Sequence, residues 1–345
     1  MIYFSIDTYN RFYNCNALTD EEWDAEGMPN IPLGIAYIFV GFVFIFLYVL
    51  SMTVIFKKEY TKNPAYFVMC YLSVIDLLGI LFTCTLTGFL TIEGSVFCTF
   101  RLFNFLSGSF AMMIWAQSCM TSILLIVNRT IDIYKPSLAS ALFEGYKVKI
   151  WLLVPTLYGL MFLLFTPPLA FTAKQYSYYF DPYIMTKFDT FMSERNIYES
   201  VFHPINNIIV IVCMSTFYFL LYLIIFLKHR GNSSDPGMSR IQTRLFYQSL
   251  LICTPSLITC SCYLYIEVFP PVMPLIVFLQ FSRDICHAIP AISYVCFNKT
   301  IRNEIIGRFF PSSFQRFIRS KSKVEDRHIK QSCSNTFLKR TPTQT

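Results

Sequence analysis

Apolar residues gather in seven long runs, separated by short stretches that hold nearly all the charge. The runs cover roughly residues 33–56, 66–90, 98–127, 150–171, 204–227, 245–268 and 272–297. Each is long enough to cross the ~30 Å hydrocarbon core of a bilayer as a helix. The last two are divided by Pro270, Pro271 and Pro274, which end one helix and restart another. The pattern predicts an all-α membrane protein, a seven-transmembrane helix bundle over 33–297. Residues 1–32 form an N-terminal segment, and no soluble domain fits in what remains. After the last run, Ile301, Ile305, Ile306, Phe309 and Phe310 interleave with Arg302 and Arg308. This predicts a short amphipathic helix over 298–310, lying on the inner leaflet in contact with membrane lipid. The basic, Ser- and Thr-containing tail over 311–345 reads as disordered.

Within the runs the polar positions are few and periodic. In the third, Asn104, Gly108, Ala111, Trp115, Ser118, Ser122, Leu125 and Arg129 fall on one helical face. Small and polar residues let helices approach and bond across one another, so this helix is expected at the bundle centre. In the seventh, Gln280, Arg283, His287, Pro290 and Tyr294 share a face in the same way. Asp76 in the second run and Arg283 in the seventh are placed near mid-bilayer. Ionisable groups at that depth are costly and must be paired or hydrated. Asp76 reads equally as a structural hydrogen-bonding group or as a functional one. The partner of Arg283 is Asp76, the adjacent Asp284 or an anionic ligand.

Composition sharpens the class. Only 14% of residues are charged and the mean hydropathy is +0.49, which excludes a water-soluble enzyme and a disordered chain. With the N-terminus placed outside, the outer segments hold 4 Lys and Arg and the inner ones 22, with Arg101 and Arg283 inside helices, out of 28. That bias over short loops orients the chain with its N-terminus outside and its C-terminus in the cytosol. The acidic, polar start carries no cleavable signal pattern, so the first helix is expected to act as the insertion signal. Of the cysteines, Cys15 and Cys98 face the oxidising side, either bonded to each other or as two free thiols. The sequons at Asn128, Asn232 and Asn298 fall on the cytosolic side and are expected to be unused.

Catalysis finds no candidates. Four histidines and scattered carboxylates do not converge as a membrane zinc site requires, and there is no Gly-rich phosphate loop. The last helix has no Lys before Lys299 for a retinal Schiff base. No enzyme activity, metal or other cofactor is expected, and no nucleic-acid partner.

Several motifs then resemble those of rhodopsin-like G-protein-coupled receptors. Leu72-Ser73-Val74-Ile75-Asp76 is similar to that family's Leu-Ala-x-x-Asp element, and Asn128-Arg129-Thr130 stands where it has Asp-Arg-Tyr. Pro136 follows Arg129 by seven, and Ser118 precedes it by eleven, where the family places a Ser beside a sodium site. Pro290 and Tyr294 resemble Asn-Pro-x-x-Tyr, with Tyr294 one position late and Ile289 in place of Asn. Cys253-Thr254-Pro255 lacks the family's Trp, and residues 172–203 hold no Cys to receive Cys98. These departures are similar to those of the nematode serpentine chemoreceptors. Tyr13-Asn14-Cys15, Glu21-Glu22-Trp23, Gly27-Met28-Pro29, Gln248-Ser249-Leu250-Leu251 and Pro290-Ala291-Ile292 resemble class T of that superfamily.

The resemblance implies a chemosensory receptor of the neuronal plasma membrane that binds an odorant-like small molecule and activates a heterotrimeric G protein. It implies that Arg129, Tyr134, Lys135 and Pro136 contact the G protein, and that Asp76, Ser118, Pro290 and Tyr294 serve activation. It places the ligand on the inward face of the outer half of the bundle, against Arg101, Asn104, Gly108, Gln280 and Arg283. Arg283 precedes Pro290 by seven, the offset at which opsins carry their retinal lysine. Two cations there would favour an anionic ligand. The competing reading is a transporter or channel subunit using Asp76, Arg283 and His287 as a polar path, which would call for repeated, Gly/Pro-broken halves.

Overall fold

The computed structural model describes residues 2–188, 197–231, 236–269, 272–309 and 311. The tail from 312 on, Pro270 and Pro271, and the sequon at Asn232 lie outside the described residues. Among the described residues, seven helices are long and apolar enough to cross a membrane: Ile31–Ile55, Pro64–Glu93, Phe97–Tyr134, Lys147–Phe165, Phe202–Lys228, Leu250–Val268 and Met273–Phe297. They are the first to seventh spans below. A short helix, Lys299–Phe309, follows the seventh.

Local chemistry sets the span starts. Asn30 and Asn63 cap the first and second spans by accepting backbone N–H groups, and a Pro sits in the first helical positions of both. The third span outruns its apolar stretch. The helical period continues through Asn128-Arg129-Thr130, and the helix stops only at Lys135, before Pro136. The fourth span is shorter than its apolar run. It ends at Phe165, and Pro167-Pro168 turn the chain so that Ala170–Thr172 becomes a strand, β1. β1 pairs antiparallel with β2, Ser177–Tyr179, with Phe171 opposite Tyr178.

The third span is the most buried and packs against the second, fourth, fifth and sixth. The seventh packs against the first, second and sixth. The main core runs through the third span, with Trp115, Cys119, Ile123 and Leu125 against Met69 and Leu72 of the second and Met214 of the fifth.

The face that carries the N-terminus is closed by chain outside the spans. Two short helices, Ile6–Phe12 and Asp20–Ala25, fold onto it, the second held by a capping box between Thr19 and Glu22. Tyr13, Trp23, Phe97, Phe105, Tyr183 and Tyr198 form a separate aromatic core there. Cys15 and Cys98 are joined in a disulfide, with Cα atoms 5.6 Å apart. The β1–β2 hairpin lies against the third and seventh spans. Gly108 permits this: a Cβ on it would stand 1.8 Å from the carbonyl oxygen of Leu169.

On the opposite face, Pro136–Phe143 forms a short helix after the third span, and Lys228 donates to the carbonyl of Ile133. The helix after the seventh span buries Ile301 and Ile305 against the bundle and leaves Phe309 exposed. Lys57 bonds Glu304, and Arg308 donates to the carbonyl of Thr53, tying that helix to the end of the first span.

Candidate functional site

A cavity of about 290 Å³ opens between the spans beneath the β1–β2 hairpin. Its floor and walls include Gly79 and Thr83 of the second span, Trp115 of the third, Tyr263 of the sixth, and Arg283 and His287 of the seventh. Tyr178, Tyr179 and Phe180 from the hairpin lie over it. The lining is mostly aromatic and aliphatic with a few polar groups, the usual make-up of a small-molecule site.

Arg283 is 6% exposed. One of its terminal nitrogens donates to Gln280 Oε1 at 2.6 Å, and its guanidinium lies 4.8 Å from the centre of the Tyr178 ring. Its Nε has no hydrogen-bond partner. Gln280 in turn donates to the carbonyl of Thr83 at 3.0 Å and to Asp284 Oδ1 at 3.4 Å. That carbonyl is offered by a π-helical stretch, Leu81–Leu86, where the second span departs from the regular ladder. The hydroxyls of Tyr178 and Thr87 meet at 2.9 Å and fix the ring under the arginine. Outside the spans, burial pushes the Tyr178 phenol up to about 12, while the nearby Arg283 charge opposes the rise.

Asp76 pairs with His287, not with Arg283. Its Oδ1 is 2.9 Å from His287 Nδ1 and accepts from Ser118 Oγ at 2.6 Å, and Tyr48 Oη donates to Oδ2 at 3.2 Å. The same Tyr48 hydroxyl lies 2.6 Å from the carbonyl of His287 and is shared with it. One carboxylate thus links the first, second, third and seventh spans. Gly79 leaves room for the imidazole: a Cβ there would come within 2.7 Å of the ring. Among the described residues Arg283 forms no ion pair with Asp76 or Asp284, so the expected internal pair is replaced by an amide and an aromatic ring.

Of the five residues expected to face a ligand, only Arg283 lines the cavity. Arg101 is in the first turn of the third helix, where it donates to the carbonyls of Tyr13 and Tyr9 at 2.5 and 2.9 Å and stacks on the Tyr9 ring. It secures the N-terminal segment. Asn104 donates to the carbonyl of Phe97 at 3.2 Å, Gly108 is filled by the hairpin backbone, and Gln280 stands behind Arg283. Reading depth along the third helix could not show that residues 1–30 fold back over its start. His203 and Glu267, 3.8 Å apart at the cavity's edge, and Tyr178 were not singled out by the sequence, because they lie on elements without a polar period. His287 was visible on the seventh-span stripe, one turn from Arg283.

At the opposite end of the third span, Arg129 is buried and one terminal nitrogen lies 3.6 Å from Met69 Sδ. Asn128 beside it is buried as well. Tyr134, Lys135 and Pro136 are exposed at the end of the span. Pro290 is buried, and Tyr294 is fully buried in the main core. Among the described residues no group of His, Cys, Asp and Glu is placed to hold a metal ion.

A profile of the family described as "Serpentine type 7TM GPCR chemoreceptor Srt" matches residues 1–317. The chain belongs to the Srt chemoreceptors. Serpentine receptor class T-55 of Caenorhabditis elegans is 23% identical to it over 299 residues, covering 85% of this chain and 79% of that one. The Srt assignment makes it a multi-pass membrane protein of a G-protein-coupled chemoreceptor class, and it covers the N-terminal segment as well as the seven spans.

Proposed function

We propose that this Srt protein takes an external small molecule into the cavity beneath the hairpin and, in response, activates a heterotrimeric G protein at the opposite face. The observation that carries the reading is the cavity itself. It is closed on the N-terminal side by loop and hairpin, and it reaches down to His287, whose imidazole is bonded to Asp76. A ligand there touches the seventh span directly and the four-span Asp76 junction through one hydrogen bond. Ligand binding that favours one arrangement of that junction would shift the population toward it.

In this proposal the N-terminal face is extracellular and the face of Arg129 cytosolic. The excess of Lys and Arg in the segments of the Arg129 face and the disulfide on the other support that orientation. Chemosensory neurons are the expected site of expression. Arg129 is the proposed G-protein contact, with Tyr134, Lys135 and Pro136 around it, because a buried guanidinium whose hydrogen-bond partner among the described residues is a thioether keeps donors for backbone carbonyls that dock there.

The test expresses the chain with an N-terminal epitope tag, stained without permeabilisation, and measures G-protein activation over a panel of small molecules. The tag should stain intact cells. Arg129→Ala should cut activation by at least about tenfold, the loss of one charge-assisted contact, at equal surface staining. Activation unchanged in Arg129→Ala would remove that role, and a tag reached only after permeabilisation would reverse the orientation.

A further inference from the structure

Arg283 and His287 are four residues apart on one face of the seventh span, which places their side chains one above the other. Both line the same cavity. The chain already anchors both. Gln280 and Tyr178 hold the guanidinium in place, and Asp76 holds the imidazole through Nδ1. Neither Gln280 nor Tyr178 carries a formal negative charge; the buried carboxylate of Asp284 is bonded by Gln280 and forms no ion pair with the guanidinium among the described residues, and Nε of Arg283 is shut off from the cavity. Glu267 is half-exposed and stands near His203. A buried guanidinium at the wall of an apolar cavity, held by an amide and an aromatic ring in place of an ion pair, is suited to take an oxyanion as its partner.

Building on the cavity reading above, we propose that the ligand is a small organic anion, a carboxylate or its like, seated between Arg283 and His287 beneath Tyr178. Arg283 provides the charge and a planar fork that matches a carboxylate. His287 lies one turn further along the same helical face and lines the same cavity, and through it the bound oxyanion meets the Asp76 junction. Tyr178 restricts the position of the guanidinium, so the anion binds in one orientation with its apolar part toward Trp115, Tyr263 and the hairpin aromatics. At a water's share of ~30 Å³ per non-hydrogen atom, the cavity suits a ligand of about ten such atoms. Arg101 takes no part, since it does not line the cavity and binds the carbonyls of Tyr9 and Tyr13 instead.

The test uses the full-length receptor purified in detergent and reads its thermal unfolding midpoint with matched probes. The probes are straight-chain and aryl carboxylic acids of about six to twelve non-hydrogen atoms, a range bracketing that volume, each beside its methyl ester and alcohol. At least one acid is expected to raise the midpoint by several degrees while its ester does not, because only a ligand bound to the folded state stabilises it. Arg283→Gln should abolish that shift, and Arg283→Lys should retain part of it. Should Arg283→Gln fail to fold, the acid-against-ester comparison on the unmodified chain decides alone. Esters or alcohols that match the acids would overturn the proposal. So would an acid shift that survives Arg283→Gln, or the lack of any shift at roughly 1 mM, the weak-binding limit. A receptor that signals through Arg129 to neutral compounds only would keep the receptor reading and lose this one.

Discussion

Arg283 and Arg129 are both buried in helical spans, and neither pairs with a carboxylate among the described residues, yet the chain surrounds them differently. Arg283 lies deep in the seventh span and is fixed on two sides, by an amide oxygen at 2.6 Å and a tyrosine ring at 4.8 Å. Arg129 lies in the last turns of the third span with a methionine sulfur at 3.6 Å as its hydrogen-bond partner. A guanidinium without a counter-charge is expensive in either place. The first arrangement lowers that cost while fixing the guanidinium at the cavity wall, which suits selection of a small molecule. The second leaves the side chain loosely held beside the exposed Tyr134 and Lys135, which suits capture of a protein partner that brings its own acceptors. Between them stands Asp76, which touches neither arginine and joins four spans.

The harshest way to break the contrast is to remove that link. Asp76→Ala strands the Nδ1 of a buried histidine and the hydroxyl of Ser118, while Tyr48 keeps its bond to the His287 carbonyl. Leaving a buried hydrogen-bonding group unsatisfied costs about 1–3 kcal/mol. The expected outcome is a lower unfolding midpoint together with loss of both acid-induced stabilisation and G-protein activation. If only one of the two activities fell at normal stability, the two ends would not share this junction.

The seven spans were legible because a bilayer accepts only helices whose backbone groups are satisfied internally, which forces long apolar runs. The central position of the third span was legible too, since its small and polar residues keep the helical period from Asn104 to Arg129. The ends were less so. Residues 169–171 are apolar whether they end a span or form a strand, and only Pro167-Pro168 marks the difference. The pairing of Asp76 with His287 depends on how the second and seventh spans are set along one another, and neither helix carries that register in its own pattern. Arg101 shows the same limit: its position in the third helix was clear, but the partners that turn it away from the cavity come from 88 and 92 residues earlier.

A milder change acts on the Arg283 end alone. Gly108→Ala would set a methyl against the Leu169 carbonyl, which is backbone and cannot rotate away. Overpacking of this kind costs ~1–3 kcal/mol. The hairpin that carries Tyr178 must then shift from the third span. Acid-induced stabilisation should weaken by about tenfold, the equivalent of 1.4 kcal/mol, while basal G-protein activation stays within about twofold. An equal loss of both would mean that the hairpin also governs the Arg129 end.

The smallest expected effect is one of pH, and it separates the same two ends. Glu26, in the N-terminal segment, is buried and meets Lys174 at 2.9 Å and Lys187 at 3.3 Å, both from the loop that carries the hairpin. The hydrogen bond from Lys174 does most to hold its carboxyl below the usual carboxylate range, against the opposing effect of burial, with Lys187 adding less. Lys187 is 75% exposed, so solvent screens most of its share. Because the folded value lies below the unfolded one of ~4.3, the ionised form favours the folded state. The stabilisation is therefore complete above the unfolded value and is lost as pH falls through the folded one. It is worth about 1 kcal/mol. Between neutral pH and about pH 5.5 the unmodified chain should melt above Glu26→Gln by a constant margin, and that margin should close as pH falls through the lowered folded value, where both come to carry a neutral side chain. The Arg129 end has no part in this pair, so Lys57→Met, which breaks the bond to Glu304 on that face, should leave the pH at which the margin closes unchanged. A margin that did not narrow on acidification, down to where the chain unfolds, would show that packing around Glu26, and not its charge, joins the N-terminal segment to the hairpin loop.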